Sequence, residues 1–245
     1  MIRRATPFLA LSCLAAISSA EVRAEPRAVL ELFTSQGCSS CPPADRLLAE
    51  FAHDPNIVAM SLAVDYWDYL GWKDTLALAG HTNRQRAYAK TRGDRDVYTP
   101  QIVINGIVHA LGSDRAAIER AIRQTRQAAA PLTVSITMTV ADNKVTVNVP
   151  AAQGDQLSGE VWLCPITRSL PVAIGRGENH GRTITYTNVV RRWIKLGDWR
   201  GKPETFNIAI KDFQRGEIDA VAVVVQGGVA SAPKLMLGAA QVAIR

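Results

Sequence analysis

Between residues 29 and 64, an apolar run, a Cys-x-x-Cys pair, a periodic stretch and a second apolar run follow one another with almost no spacer. Val29-Leu30-Glu31-Leu32-Phe33 reads as a buried strand, and Ser35-Gln36-Gly37 as a turn. Ala44, Leu47, Leu48 and Phe51 then fall at the i, i+3, i+4, i+7 spacing of one helix face. His53-Asp54-Pro55-Asn56 stops that helix, and Ile57–Val64 is again of strand length. Strand, helix, strand at this spacing is a βαβ unit, so the two strands should be parallel neighbours with a right-handed crossover. Few chains carrying that unit can fold as anything but a layered structure with helices on a sheet.

Cys38-Ser39-Ser40-Cys41 stands at the strand-to-helix junction. Two intervening residues let the sulfurs meet, and a helix N-terminus favours a thiolate. Cys38, the earlier residue, is expected nearer solvent as the attacking sulfur, with Cys41 resolving the mixed disulfide. A bridge kept only for stability is the bland alternative, although so short a loop gains little chain entropy. Two soft ligands would also suit Cu(I), but fall two short of a closed zinc site. His53, His81, His109 and His180 share no spacing with the pair, so no metal or other cofactor is called beyond that Cu(I) alternative at Cys38 and Cys41. Pro42-Pro43 lacks amide donors, which places the helix start there with Cys41 at the cap.

Residues 73–92 read as a helix with Thr82 and Gln85 as a capping box and Gly93 as its stop. Thr99-Pro100 precedes Gln101–Ile104, Asn105-Gly106 and Ile107–Leu111, the strongest short hairpin signal. Ser113 is read as the cap of a further helix with an apolar stripe at Ala117, Ile118, Ala121, Ile122 and Thr125. After Pro131 the texture changes to alternating runs at 132–140, 144–150, 160–165, 182–193, 205–210, 220–226 and 234–244. These predict an all-β, sandwich-like half. The division is therefore 1–24, 27–130 and 131–245. Cys164, in a strand of the second half, reads as a core residue or an exchange partner.

Parallel strands place the end of the second one, Val64-Asp65-Tyr66-Trp67, beside the cysteines. The hairpin's first strand should run antiparallel to the first strand, which brings Thr99-Pro100 to the same edge. Tyr66, Trp67, Tyr69 and Trp72 either pack between the halves or form a platform for an extended substrate. Asp65 and Asp68 flank them as acid/base partners or as turn caps.

Met1-Ile2-Arg3-Arg4, a short apolar stretch from Phe8 to Ile17, and small-x-Ala ends at Ser18-Ser19-Ala20 or Val22-Arg23-Ala24 describe a secretory signal peptide over residues 1–24. The apolar stretch is too short to span a bilayer, and no later run approaches 18 residues, so no transmembrane segment is expected in the mature chain. The expected location is periplasmic or secreted, where thiols can be held as disulfides. Net charge is +6, with the densest basic cluster at Arg84–Arg95 interrupted by Asp94. Such a cluster reads as a solvated helix face, and nucleic acid is not called as a partner.

The order strand, Cys-x-x-Cys helix, strand, helix, Thr-Pro, hairpin, helix resembles the thioredoxin superfamily. More narrowly, Glu31 and Phe33–Asp45, together with Val64-Asp65-Tyr66-Trp67-Asp68-Tyr69-Leu70-Gly71-Trp72, resemble an exported bacterial thioredoxin-like family catalogued as a domain of unknown function. The resemblance implies an α/β thioredoxin-like domain followed by an all-β sandwich-like domain. It also implies a cis Pro100 with Thr99 contacting substrate; the aromatic run adds Tyr66 and Trp67 as expected substrate contacts beside catalytic Cys38 and Cys41. The resemblance supplies a fold rather than an activity; the activity expected from the cysteine pair is thiol–disulfide exchange on protein or peptide thiols and disulfides, with an unidentified redox partner and no cofactor. The other class of reading is a non-catalytic interaction or Cu(I)-delivery module. Two positions depart from the superfamily pattern. Gly37 stands where a Trp is usual, and Leu32 where a buried acid is usual. Glu31, one place off, should face the other way, which leaves the proton of Cys41 without an assigned acceptor.

Overall fold

A computed structural model describes residues 20–23, 25–129, 131–152 and 157–244. The 1–24 expectation lies mostly outside these residues; Ala20–Arg23 form strand β1. The remaining elements are β2 (Ala28–Thr34), α1 (Pro42–Ala52), β3 (Ile57–Ala63), α2 (Ala79–Arg92), β4 (Gln101–Ile104), β5 (Val108–Leu111) and α3 (Arg115–Ala129). They are followed by β6 (Thr137–Ala141), β7 (Lys144–Val149), β8 (Gly159–Ala173), β9 (Thr183–Val190), β10 (Ile194–Trp199) and β11 (Glu204–Ala209). The short α4 (Ile210–Phe213), β12 (Ala220–Val229) and β13 (Ala232–Ala243) complete the chain.

Among the described residues there are two sheets. One has four strands in the order β1-β6-β7-β11; the other has nine, in the order β13-β12-β8-β9-β3-β2-β4-β5, with β10 on β8. β2 and β3 are parallel, as the βαβ reading required, and β4 runs antiparallel to β2. The larger sheet corrects the expected fold class. The chain is mostly β, with 42% strand and 22% helix, and not an α/β thioredoxin-like domain followed by a β sandwich. Its mixed sheet runs from the first half into the second where β9 joins β3 in parallel at Ser61 and Val189. The physical reason lies in β3. All seven of its residues are buried, so the edge that faces away from β2 cannot stand in water. β9 covers it, and Asn188 donates from Nδ2 to the Ala59 carbonyl at 2.9 Å. A pairing across more than a hundred residues leaves no local signature.

β2 distributes its side chains by strict alternation. Ala28, Leu30 and Leu32 pack under α1 and α3 with Leu48, Phe51, Ile118 and Ile122. Val29 and Phe33 face the opposite way, against Met60, Val103, Ile166 and Val224. Glu31 shares that second face. A third core lies between the four-stranded sheet and β8, β12 and β13, around Met138, Val147, Leu163, Trp199 and Val223. The alternating runs after Pro131 are strands, and β10 is a further strand that lies outside all of those runs.

Helix ends follow local chemistry, with two corrections. α1 starts at Pro42 with Cys41 as its N-cap. α2 starts at Ala79 behind Leu78, six residues later than expected, and ends at Gly93 in the left-handed region. Thr82 and Gln85 are therefore not a capping box. Thr82 donates to Asp65 at 2.5 Å, and Gln85 donates to the Tyr98 carbonyl at 2.8 Å. At α3 the cap is Asp114, accepting from the Ala117 amide at 2.9 Å, rather than Ser113.

Candidate functional site

β2 ends at Thr34, and the chain turns through Ser35-Gln36-Gly37, with the Cys38 amide donating to the Ser35 carbonyl at 3.2 Å. Cys38 and Cys41 are joined as a disulfide with their Cα atoms 5.4 Å apart. The Cys41 carbonyl accepts from the Ala44 and Asp45 amides, so the disulfide sits on the N-terminal turn of α1. One expectation is corrected: Cys38 is not near solvent. Cys38 is 1% exposed and Cys41 0%, while Ser39 and Ser40 between them stand in water.

The cover comes from the second half of the chain. The tip of the β8–β9 hairpin, a glycine-rich turn over residues 174–182, lies on the cysteine turn. Asn179, fully buried, donates from Nδ2 to the carbonyls of Gln36 and Cys38, both at 2.9 Å. Glu178 accepts from the Ser39 amide at 3.0 Å, and the Ser39 hydroxyl together with that amide holds its exposed carboxyl below the usual range. Trp72 packs under the tip: a Cβ on Gly175 would meet its ring at 2.9 Å, and its Nε1 donates to Gln36 at 2.8 Å. The polar atoms around the sulfurs are therefore Ser40 Oγ, 3.4 Å from Cys38 Sγ, and the tethers of this tip.

The segments expected at this edge meet there. Gly37 lies against Trp67, where a Cβ would come 3.1 Å from the Trp67 Cβ. Trp67 Nε1 donates to Thr99 Oγ1 at 2.8 Å, and the Thr99–Pro100 peptide is cis. Gly112 joins these parts from behind, since a Cβ there would meet Leu32, Ala44 and Pro100 within 3.2 Å. The aromatic run divides. Tyr66 and Trp67 pack toward the core shared with β8 and β12, Trp72 goes to the hairpin tip, and Tyr69 is 79% exposed. Asp65 and Asp68 hold structure: Asp65 accepts from Thr82, and Asp68 from the Asp74 amide at 3.0 Å.

Sequence reading missed the acid. Asp45 lies one helical turn after Cys41, is 2% exposed, and neither carboxyl oxygen has a hydrogen-bond partner of normal geometry among the described residues. Thr34 Oγ1 and the Tyr186 hydroxyl are buried and equally unpartnered. Burial raises the Asp45 pKa to about 7, opposed by the nearby Thr34 hydroxyl and reinforced by Asp74. The Tyr186 phenol is pushed up by burial and then by the nearby Asp45 and Asp74 carboxyls. Asp74 is itself raised, chiefly by burial, although it accepts from the Gln36 amide at 2.7 Å. The signal was present in Cys-Pro-Pro-Ala-Asp, where i+4 spacing sets a carboxyl on the face below the second cysteine. An acid in a first helical turn passes easily for a dipole partner.

Glu31, by contrast, is far from unpartnered. It accepts from Arg84 Nε at 2.6 Å and from the Tyr88 hydroxyl, on the sheet face opposite α1. Cys164 is buried in that same core, and burial pushes its thiol up. Among the described residues no group of three or more His, Cys, Asp or Glu gathers as a metal site.

A family model described as a protein of unknown function, DUF1223, matches residues 29–226. The chain belongs to this family. The match spans the cysteine turn, the Thr99–Pro100 bond and the hairpin tip, so all three lie within the DUF1223 unit. A crystal structure of the protein AGR_C_4864 from Agrobacterium tumefaciens is similar at a TM-score of 0.81 and 31% identity, covering 91% of this chain and 97% of that one. No curated protein matches the chain.

Proposed function

We propose that this DUF1223 protein performs thiol–disulfide exchange on protein or peptide substrates outside the cytosol, through Cys38 and Cys41. The observation that carries the reading is a disulfide on a helix N-terminus with an unpartnered, buried acid one turn along. A structural bridge has no use for that acid, whose burial is costly once ionised. Exchange does. A Cys38 thiolate attacks a substrate disulfide, forming a mixed disulfide and releasing one substrate thiolate. Asp45 takes the Cys41 proton, the Cys41 sulfur attacks Cys38 Sγ, and the second substrate thiolate leaves as the Cys38–Cys41 bond re-forms. The reverse sequence oxidises a substrate dithiol. A partner dithiol or disulfide protein restores the starting state. Thr99, Tyr66 and Trp67 supply the substrate contact, with Thr99 held in place by the Trp67 indole.

Because Cys38 is covered, the hairpin tip must lift for a substrate to reach it. The tip is held by few polar tethers, so local opening costs less than global unfolding. The export expected from the first residues supplies the oxidising compartment in which such a disulfide persists.

The test uses the full mature chain. The Cys41→Ser variant should accumulate a mixed disulfide with a peptide substrate whose disulfides are scrambled, visible as a mass shift that dithiothreitol removes. Cys38→Ser should form none. Failure of native protein to equilibrate its disulfide with glutathione, together with no trapped adduct, would reduce the pair to a structural bridge.

A further inference from the structure

Along α2, and lined by none of the cysteine-turn residues, the molecule holds a cleft of about 460 Å³ that the exchange reading does not use. One wall is α2, contributing Arg84, Arg86 and Lys90; the other is Trp162 of β8, Trp193 before β10, and Ser231 in the turn between β12 and β13. This volume lies in the range of small-molecule pockets, roughly 300–1,000 Å³.

We infer that the cleft between α2 and Trp162/Trp193 binds a small aromatic anion, a flat apolar body carrying one carboxylate or equivalent acid. The body is matched by the two indoles, which meet edge to face at 6.2 Å and are only half-buried. Two tryptophans left partly open beside one cleft are an unusual expense of apolar surface for a strand-rich core, and they offer an incoming ring both stacking and edge contacts. The floor is already rigid. Arg84 stacks on Trp193 with its guanidinium carbon 4.0 Å from the ring centroid, and its position is fixed by Glu31, Tyr88 and Gln226. Indole geometry is thus set before any ligand arrives, which lowers the ordering cost of binding.

The charge is matched at the mouth. Arg84 is neutralised by buried Glu31, so it contributes shape rather than net charge. Arg86 and Lys90, one turn apart and exposed on the same helix, have no ion-pair partner among the described residues. Among the described residues no carboxylate lines the cleft. The acids on the far flank of these cations are Asp94 and Asp96, and Asp94 is held by Arg92 at 2.7 Å. Trp193 Nε1 is buried and has no acceptor among the described residues, so the exposed part of this indole is its ring rather than its N–H. The basic cluster that reads as a solvated helix face in sequence therefore becomes the rim of an aromatic cleft. This inference does not rest on the redox reading.

The experiment is calorimetric titration of the full mature protein with 2-naphthoate and with its neutral counterpart, 2-naphthylmethanol, at low salt. The naphthoate should bind saturably at one site and about fivefold or more tighter than the alcohol, the gain of a charge-assisted contact. Arg86→Ala/Lys90→Ala, two exposed changes that leave the fold alone, should remove that preference. Trp162→Leu should weaken both ligands together. Absence of saturable naphthoate binding, a smaller preference for the anion, or a preference that survives the double variant overturns the proposal.

Discussion

Two carboxyl groups are buried on neighbouring elements of this molecule, and they are treated in opposite ways. Glu31, in the middle of β2, is met by Arg84, by the Tyr88 hydroxyl, and through them by Gln226 of β12, which accepts from Arg84 and donates to Tyr88 at 2.8 Å each. Asp45, in the first turn of α1, is met by no hydrogen-bond partner of normal geometry among the described residues. The first arrangement ties β2, α2 and β12 together across both halves of the chain. The second strengthens nothing. A buried charge with a full set of partners is a structural joint, whereas a buried acid left without them is held ready for a proton.

The largest effect should come from breaking the joint. Arg84→Met leaves Glu31 buried without its countercharge and should cost about 3–5 kcal/mol in urea unfolding. Glu31→Leu/Arg84→Met, which removes both charges together, should recover most of that loss. If the double variant were as unstable as the single one, the pair would be contributing stability of its own rather than cancelling a burial cost.

Asp45 should give the opposite sign. Its pKa is raised from 3.8 to about 7, so the folded state binds the proton more tightly than the unfolded chain. The acid costs nothing below the unfolded value, and the cost grows as pH rises between about 4 and 7 and is complete above that. At roughly 1.4 kcal/mol per unit, keeping it ionised at pH 8 costs about 4 kcal/mol. Asp45→Asn should therefore stabilise the oxidised protein by up to that amount at pH 8 and by little at pH 4, while slowing release of the mixed disulfide. Equal gains at both pH values would mean that Asp45 does not ionise with a raised pKa in the folded protein. His81 runs the other way. Burial lowers its pKa to about 4, so its contribution is lost as pH falls from 6.5 toward 4. The two slopes are separable because His81→Gln removes only the acid-side loss.

What could be read from the sequence divides along the same line. Elements whose signals are local were legible: the βαβ unit, the start of α1 at Pro42, the Asn105-Gly106 hairpin and the strand runs after Pro131. The convergence of Trp67, Thr99 and the cysteines also followed, because parallel and antiparallel pairing fixes which strand ends share an edge. What required the folded chain was everything contributed from the distant half. The parallel seam between β3 and β9 turns two expected layers into one sheet, and the hairpin tip buries sulfurs that local reasoning left in solvent. Arg84 shows the same limit from another side. Its neighbours in sequence mark an exposed basic helix, yet Glu31 and Gln226 draw it inside.

The smallest effect tests whether the second half governs access to the first. Asn179 offers two donors to the Gln36 and Cys38 carbonyls and accepts from Arg182 Nη1 at 2.9 Å, so it links the tip to the cysteine turn at one residue. Asn179→Ala removes two buried hydrogen bonds and should cost about 1–3 kcal/mol of global stability. Its kinetic signature should be larger than its thermodynamic one. If exchange waits on local opening of the tip, weakening the tether raises the open population, and reduction by dithiothreitol should accelerate by roughly tenfold per 1.4 kcal/mol lost locally. Glu178→Gln should change that rate less, since the Ser39 amide it engages lies on the exposed side of the turn. An unchanged reduction rate in Asn179→Ala would show that the sulfurs are reached by another route, and the hairpin would then be part of the joint rather than of the site.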